Sequence, residues 1–398
     1  MSQTPTATTP PRPAAAAFAA FDHQPRTRLV FGLDAVERVG ELAAEIGMKM
    51  PLLVTDPGVV AAGHMERVRQ SLRKAGIEPV LFDKVRENPT TRDVQDCLQT
   101  ARSAAIDGLI GLGGGSSMDT AKGCNFLLTN GGRMQDYRGL GRAARPMLPL
   151  IAIPTTAGTG SECQSFALIA DETTHQKMAC GDPKAAARVA LLDAKLTVSQ
   201  PARVTACTGV DALSHALETA VTTKRNALSL AYSREAFQLC SSSLPGVLRN
   251  GGQLESRAGM LLGAALAGLA IENSMLGAAH AAANPLTAHF HIVHGQAVGL
   301  MLPWVVRFNA ENAETARLYE ALHAGGIDKL VSRLDWLLNL AGIPRSLTEC
   351  SLKPSAIPSL AAEAAQQWTA TFNPRPLAEA DFARLYEAGF QTRGDGAP

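Results

Sequence analysis

This chain predicts an α/β half followed by an all-α half. Three observations carry the prediction. Short apolar runs alternate with amphipathic segments as far as about residue 200, and Ala- and Leu-rich stretches of helical length take over beyond it. A glycine-rich turn, GLGGGSSMDTAKG (111–123), directly follows one of the apolar runs. In an open parallel sheet that is where ligands gather, at the carboxyl ends of the strands.

The elements follow in order. PLLVT (51–55), EPVLF (78–82), DGLIGL (107–112) and PLIAIP (149–154) each read as a buried strand, and RVALLD (188–193) supplies a further one. HMERVRQSLRKAG (64–76) and TRDVQDCLQTARSA (91–104) have helical periodicity between them. Strand, helix, strand in that order predicts a Rossmann-like parallel sheet covered on both faces. After Pro201 the strand signals fade. ALSLAYSREAFQLCSSSL (227–244), ESRAGMLLGAALAGLAIE (255–272), LDWLLNLAG (334–342) and LAEADFARLYEAGF (377–390) are helical in length and pattern. At 398 residues the chain is too long for one core. The division expected is a tail over 1–24, an α/β domain over 25–200 and a helical domain over 201–398.

The tail, rich in Thr, Pro and Ala, reads as mobile. Its run AAAAFAAF, with only Arg12 ahead of it, is a weak match to a signal peptide. A formal net charge of +1 gives no electrostatic case for nucleic acid or an anionic membrane. No segment approaches the roughly 20 apolar residues of a membrane span. Seven scattered cysteines without a CxxC pair read as reduced thiols of a cytoplasmic protein.

In the turn at 111–123, Gly113, Gly114 and Gly115 let a phosphate approach the backbone, Ser116 and Ser117 add hydroxyl donors, and the helix that follows offers its N-terminus. Asp119 and Lys122 can fix the loop by pairing or capping, and Asp119 is expected among the cofactor-binding residues. The pattern is neither G-x-G-x-x-G nor a phosphate-binding G-x-x-x-x-G-K-[ST] loop. A second polar loop, PTTAGTGSE (154–162), follows the next strand, and NPTT (88–91) adds a third candidate contact. In TGVDALSHALE, Asp211 and His215 stand four apart, one helical turn, on one face. The same spacing equally fits a surface pair or a cap. His280 and His294 bracket a segment in which Pro285 is expected to interrupt any continuous helix. One carboxylate with three imidazoles is a donor set suited to Fe(II) or Zn(II).

Together these motifs resemble the iron-containing (group III) alcohol dehydrogenases. The resemblance runs from FGLDAV (31–36) through VTDPGV (54–59), ENPTT (87–91), GGGSSMDTAK (113–122), PTTAGTGSE, GVDALSHALE (209–218) and HGQAVGLMLPWVVRFN (294–309) to NPR (373–375). It implies a dehydroquinate synthase-like architecture, with a nucleotide-binding domain ahead of a helical metal-binding domain. It implies metal ligation by Asp211, His215, His280 and His294, with Fe2+ expected and Zn2+ an alternative. It further implies pyrophosphate contacts from Gly113, Gly114, Gly115 and Ser116, with Thr155, Thr156, Thr159, Asn88 and Lys177 around the cofactor. Asp56 falls where the family sets cofactor choice. A carboxylate there accepts from ribose hydroxyls and repels a 2′-phosphate, which favours NAD over NADP. Asp56 equally suits the start of a DPG turn.

The implied activity is hydride transfer between a nicotinamide and a small primary alcohol or diol and its aldehyde, in a homo-oligomer of two or more copies. The alternative is a metal- and NAD-dependent lyase or polyol dehydrogenase of the same superfamily. A lyase acting on a phosphorylated acid needs several cations, and between 255 and 300 only Arg257 is basic besides histidine. One departure matters. Where many members carry a second histidine, one turn after the third ligand, this chain has Asn284. Asparagine exchanges no proton at neutral pH, so His289 and His291 become the candidate relay, although either equally fits a surface histidine.

Overall fold

The computed structural model describes residues 20–174 and 176–397, so most of the expected tail lies outside the described residues. Six parallel strands form the main sheet: β1 (Arg28–Phe31), β2 (Pro51–Val54), β3 (Val80–Phe82), β4 (Gly108–Gly113), β6 (Leu150–Pro154) and β9 (Val189–Leu192), in the order β1-β9-β6-β4-β2-β3. Three more, β5 (Gly139–Leu140), β7 (Phe166–Ala170) and β8 (Lys177–Gly181), make a small mixed sheet in the order β5-β8-β7. The crossover helices are α1 (Val39–Glu45), α2 (Pro57–Ala61), α3 (His64–Lys74), α4 (Thr91–Arg102) and α5 (Gly115–Asn130).

Strand side chains alternate between two cores, as the pleat requires. Leu52, Val54 and Leu109 pack with Val94, Leu98 and Met118 of α4 and α5. Leu53, Ile110 and Ile151 pack on the other face with Val39, Leu42, Val68 and Leu72 of α1 and α3. Burial on both faces explains why these strands are continuous apolar runs.

From Ala202 the described residues form only helices and irregular segments. The helices are α6 (Ala202–Thr219), α7 (Ala227–Arg249), α8 (Leu254–Ser274), α9 (Ala278–Phe290), α10 (His294–Ala310), α11 (Ala313–Leu322), α12 (Gly326–Leu340), α13 (Ile357–Ala365) and α14 (Glu379–Gly389). Helix α6 is buried on nearly every side from Thr205 to Thr219, so it is the central rod of this region. Helix α8 is long and apolar enough to cross a membrane by composition, contrary to the sequence reading, but most of it is buried within the protein. Its Gly and Ala residues serve close packing against α6 and α7.

The expected break at Pro285 does not occur. Helix α9 runs through it. Proline removes one donor and crowds the preceding turn, and in that turn the Tyr386 hydroxyl donates to the Ala282 carbonyl at 2.7 Å. Tyr386 of α14 thus anchors this turn through Ala282, the neighbour of the Ala281 carbonyl that the proline leaves without its helical donor.

Candidate metal centre and cofactor cleft

Helix periodicity places Asp211 and His215 side by side, and two helix starts bring the other imidazoles to them. Asp211 Oδ1 lies 3.5 Å from His215 Nε2, 3.5 Å from His280 Nε2 and 3.8 Å from His294 Nε2. The His215 and His280 rings stack with centroids 4.8 Å apart. Asp211, His215 and His280 are buried, while His294 is partly open to the cleft. His294 is the first residue of α10, and Gly295 allows that approach. A Cβ on Gly295 would stand 2.0 Å from the Cys207 carbonyl oxygen of α6.

The donor atoms fit a cation. Asp211 Oδ1 and His280 Nε2 are both buried without a hydrogen-bond partner, a state that costs each about 1–3 kcal/mol unless something occupies the space between them. Asp211, His215 and His280 bring one donor atom each within 4.8 Å of one another. Burial pushes the Asp211 carboxyl up, yet the facing imidazoles outweigh it and hold it well below the usual range. Burial lowers His215. It lowers His294 too, with Lys177 and the other imidazoles adding to the effect. At His280 the Glu218 and Asp211 carboxylates overcome burial and hold the ring up to about 9.

Glu218 is the residue that the sequence reading missed. Its Oε2 accepts from His280 Nδ1 at 2.6 Å and from the Gly277 N–H at 3.1 Å. Its Oε1 accepts from the Ala279 N–H at 2.6 Å. A carboxylate can only accept, so a proton stays on Nδ1 and Nε2 is turned to Asp211. The signal lay inside GVDALSHALE, where Glu218 is seven residues beyond Asp211 and three beyond His215, on one helix face. Asn373, in the NPR motif, caps the same helix start by accepting from Ala278 N–H at 3.3 Å.

The phosphate-type loops come together at neighbouring strand ends. β4 pairs with β6, and Thr155 N–H donates to the Gly113 carbonyl at 2.9 Å. Gly113 has φ +145, a conformation that disfavours a side chain. Thr156 packs against Gly114 and Thr159 against Gly115, so the second loop lies directly on the first. The N-terminus of α5 carries no side-chain cap, leaving its N–H groups for an anion. Ser116 Oγ accepts from the Asn88 N–H at 3.2 Å and so ties the third loop to this cradle.

Asp56 caps α2 through Val59 N–H at 3.0 Å and also lies 3.4 Å from Ser117 Oγ, at the edge of the cradle. Asp119 turns away from it. It is buried and accepts from Ser161 Oγ at 2.8 Å, while fully buried Lys122 donates to the Ser161 and Phe166 carbonyls at 2.6 and 2.9 Å. These two residues brace the second loop from behind. Lys177 is exposed at the start of β8, close enough to act electrostatically on both Asp119 and His294.

Asn284, one turn beyond His280, donates from Nδ2 to Gln367 Oε1 at 3.0 Å. His289 bonds Glu363 of α13 at 2.5 Å and is largely exposed. His291 ends α9 in a left-handed conformation and is exposed. Three of the expected ligands, Asp211, His215 and His280, thus lie within 4.8 Å of one another and His294 Nε2 stands 3.8 Å from Asp211 Oδ1, whereas His289 and His291 lie at the far end of α9.

A dinucleotide cradle beside a buried aspartate–histidine cluster defines a metal-dependent oxidoreductase that uses a nicotinamide cofactor. Comparison with known proteins makes the class specific. The family model described as iron-containing alcohol dehydrogenase matches residues 25–194, and its C-terminal counterpart matches 205–390. The NAD-dependent methanol dehydrogenase of Bacillus methanolicus is 33% identical over 89% of this chain and 96% of its own. The choline dehydrogenase of Bacillus subtilis is 36% identical over 92% and 94%. The crystal structure of a 1,3-propanediol oxidoreductase superposes with a TM-score of 0.88 at 31% identity, covering 93% of this chain and all of that one. The chain belongs to the iron-containing alcohol dehydrogenase family and is an alcohol oxidoreductase.

Proposed function

We propose that this enzyme interconverts small primary alcohols or diols and their aldehydes with NAD, using Fe2+ or a similar divalent ion held by Asp211, His215, His280 and His294. The convergence of two unpartnered buried donors, Asp211 Oδ1 and His280 Nε2, is the observation that carries this reading. When bound, the ion supplies Lewis acidity to the substrate oxygen and the nicotinamide exchanges the hydride. The chain's own residues position both. Gly113–Ser116, Thr155, Thr156 and Thr159 fix the cofactor phosphates, Asn88 and Lys177 flank them, and Glu218 orients His280. Asp56 at the edge of the cradle supports NAD, since its carboxylate would repel a 2′-phosphate.

We assign the sheet region to residues 25–200 and the helical region to 201–398 as two domains with the cleft between them. Exposed Phe31 and Leu33, on and just after edge strand β1, support a homo-oligomer, and seven free thiols support a reducing compartment.

The test is His215→Ala, with bound metal and NADH formation followed on an alcohol panel, each protein reconstituted with Fe2+ or Zn2+. Both metal and turnover should be lost with the fold retained. Full turnover by the metal-free variant overturns the assignment.

A further inference from the structure

We propose that Trp368 forms the wall along which the substrate's carbon chain lies, and that it selects neutral alcohols with apolar chains over cationic amino alcohols. This rests on the alcohol dehydrogenase reading above.

The placement starts from the metal cluster. Asn284 shares a helix face with His280, one turn away, and its bond to Gln367 brings the segment after α13 onto that face. Trp368 is the next residue. Its ring packs on Phe166 across the cleft, with centroids 5.9 Å apart. Phe166 opens β7 and its carbonyl is held by Lys122, so the indole spans from the helical region to the strand end that meets Lys122, which braces the second cofactor loop. Phe372 meets it edge-on at 5.6 Å. Despite these contacts Trp368 remains 39% exposed. A large aromatic face left open next to the Gln367 that bonds Asn284 is a setting in which an apolar ligand gains by covering it.

Charge decides between apolar and cationic chains. An open tryptophan alone would also suit a quaternary ammonium. Here the Lys224 ammonium already sits 5.0 Å over the Phe372 ring. The Thr223 N–H donates to the Phe372 carbonyl at 2.8 Å, which holds the loop carrying Lys224 in place. A second cation on Trp368 would sit one aromatic ring away from that ammonium and be repelled by it, whereas a methylene chain carries no charge to be repelled.

The experiment compares kcat/KM for ethanol through 1-hexanol, with choline as the cationic probe, in wild type, Trp368→Ala and Trp368→Phe. Metal content is measured in each. Covering one methylene is worth about a fourfold gain in kcat/KM. Wild type should show that slope over several carbons, Trp368→Phe should keep most of it, and Trp368→Ala should flatten it below about twofold per carbon. A purely structural role would change all the alcohols equally and leave the slope intact. Tryptophan emission under added 1-hexanol reads the same wall without turnover, and its response should vanish in Trp368→Ala. An unchanged slope or emission response in that variant, or a preference for choline over 1-butanol in wild type, overturns the proposal. If metal-loaded wild type oxidises none of the alcohols while the emission response still depends on Trp368, the functional reading fails and the wall stands.

Discussion

Replacing Glu218 by glutamine tests whether the metal site depends on a residue that is not one of its ligands. The carboxylate satisfies three donors, Gly277 N–H and His280 Nδ1 through Oε2 and Ala279 N–H through Oε1. An amide has one acceptor oxygen and one donor nitrogen, so either orientation leaves one buried backbone N–H facing another donor. That costs about 1–3 kcal/mol. With the nitrogen toward His280 it also donates to Nδ1, which drives the ring proton onto Nε2 and blocks the atom turned to Asp211. With the oxygen toward His280 the tautomer survives, but the negative charge that raises ligand basicity is gone. Loss of such an outer partner weakens metal binding by about 10–100-fold, or about 1.4–2.7 kcal/mol. Competition with a chelating dye measures the affinity, and melting of the metal-free protein measures the packing cost, expected at several degrees for a region of this size. Metal affinity within twofold of wild type together with an unchanged melting temperature would refute the reasoning.

Three further outcomes are expected. Burial pushes the Glu162 carboxyl up to about 7 from 4.5, against the pull of its own backbone N–H and Lys122. The folded state therefore holds a proton that the unfolded chain releases, and stability falls as pH rises through that window. Glu162→Gln should stabilise by on the order of 3 kcal/mol at pH 8 and by little at pH 4.5; an equal gain at both, by thermal melting, would contradict this. Arg393, buried, bonds Asp335 Oδ1 at 3.0 Å and the Pro344 carbonyl at 3.0 Å, pinning the C-terminal segment to α12. Arg393→Ala strands Asp335 and should cost about 3–5 kcal/mol, read as a melting temperature lower by about 10 °C; a change under 2 °C would exclude it. Gly295→Ala forces α10 off the Cys207 carbonyl and carries His294 with it, so metal affinity should drop by more than about tenfold, by the same dye competition; retained affinity would show that His294 is dispensable.

What could be seen in the sequence was local. The GGGSS turn, the threonine loop and the Asp211–His215 step each depend on spacing within a few residues, and the strands announced themselves because burial on both faces makes them uniformly apolar. The small sheet was not legible. FALIA (166–170) and KMACG (177–181) gain strand identity from tertiary pairing, antiparallel with each other from Phe166↔Gly181 to Ala170↔Lys177 and, for the second, parallel with Gly139–Leu140. Glu218 stood in a quoted motif, but its partner lies 62 residues on. Asp119 and Lys122 invited a role at the phosphate loop, and only the fold showed that both reach backward, to Ser161. Helix α9 continues through Pro285 with its preceding turn held by a residue distant in sequence, Tyr386, 104 residues beyond Ala282.

The arrangement of the ligands has a logic of its own. Asp211 and His215 project from the middle of a buried helix, where rotamers are held by packing. His280 and His294 instead sit in the first turns of α9 and α10. The positive end of a helix dipole disfavours a protonated imidazole, so both positions bias the ring toward the neutral form that ligates a metal. At His294 nothing opposes this except Asp211. At His280 the opposite tendency prevails, because Glu218 supplies the charge that caps the exposed N–H groups of α9 and orients the ring. Glu218 therefore meets two needs with one carboxylate, the helix start and the histidine tautomer. A neutral substitute can satisfy only part of that demand, and the glutamine variant separates the two roles.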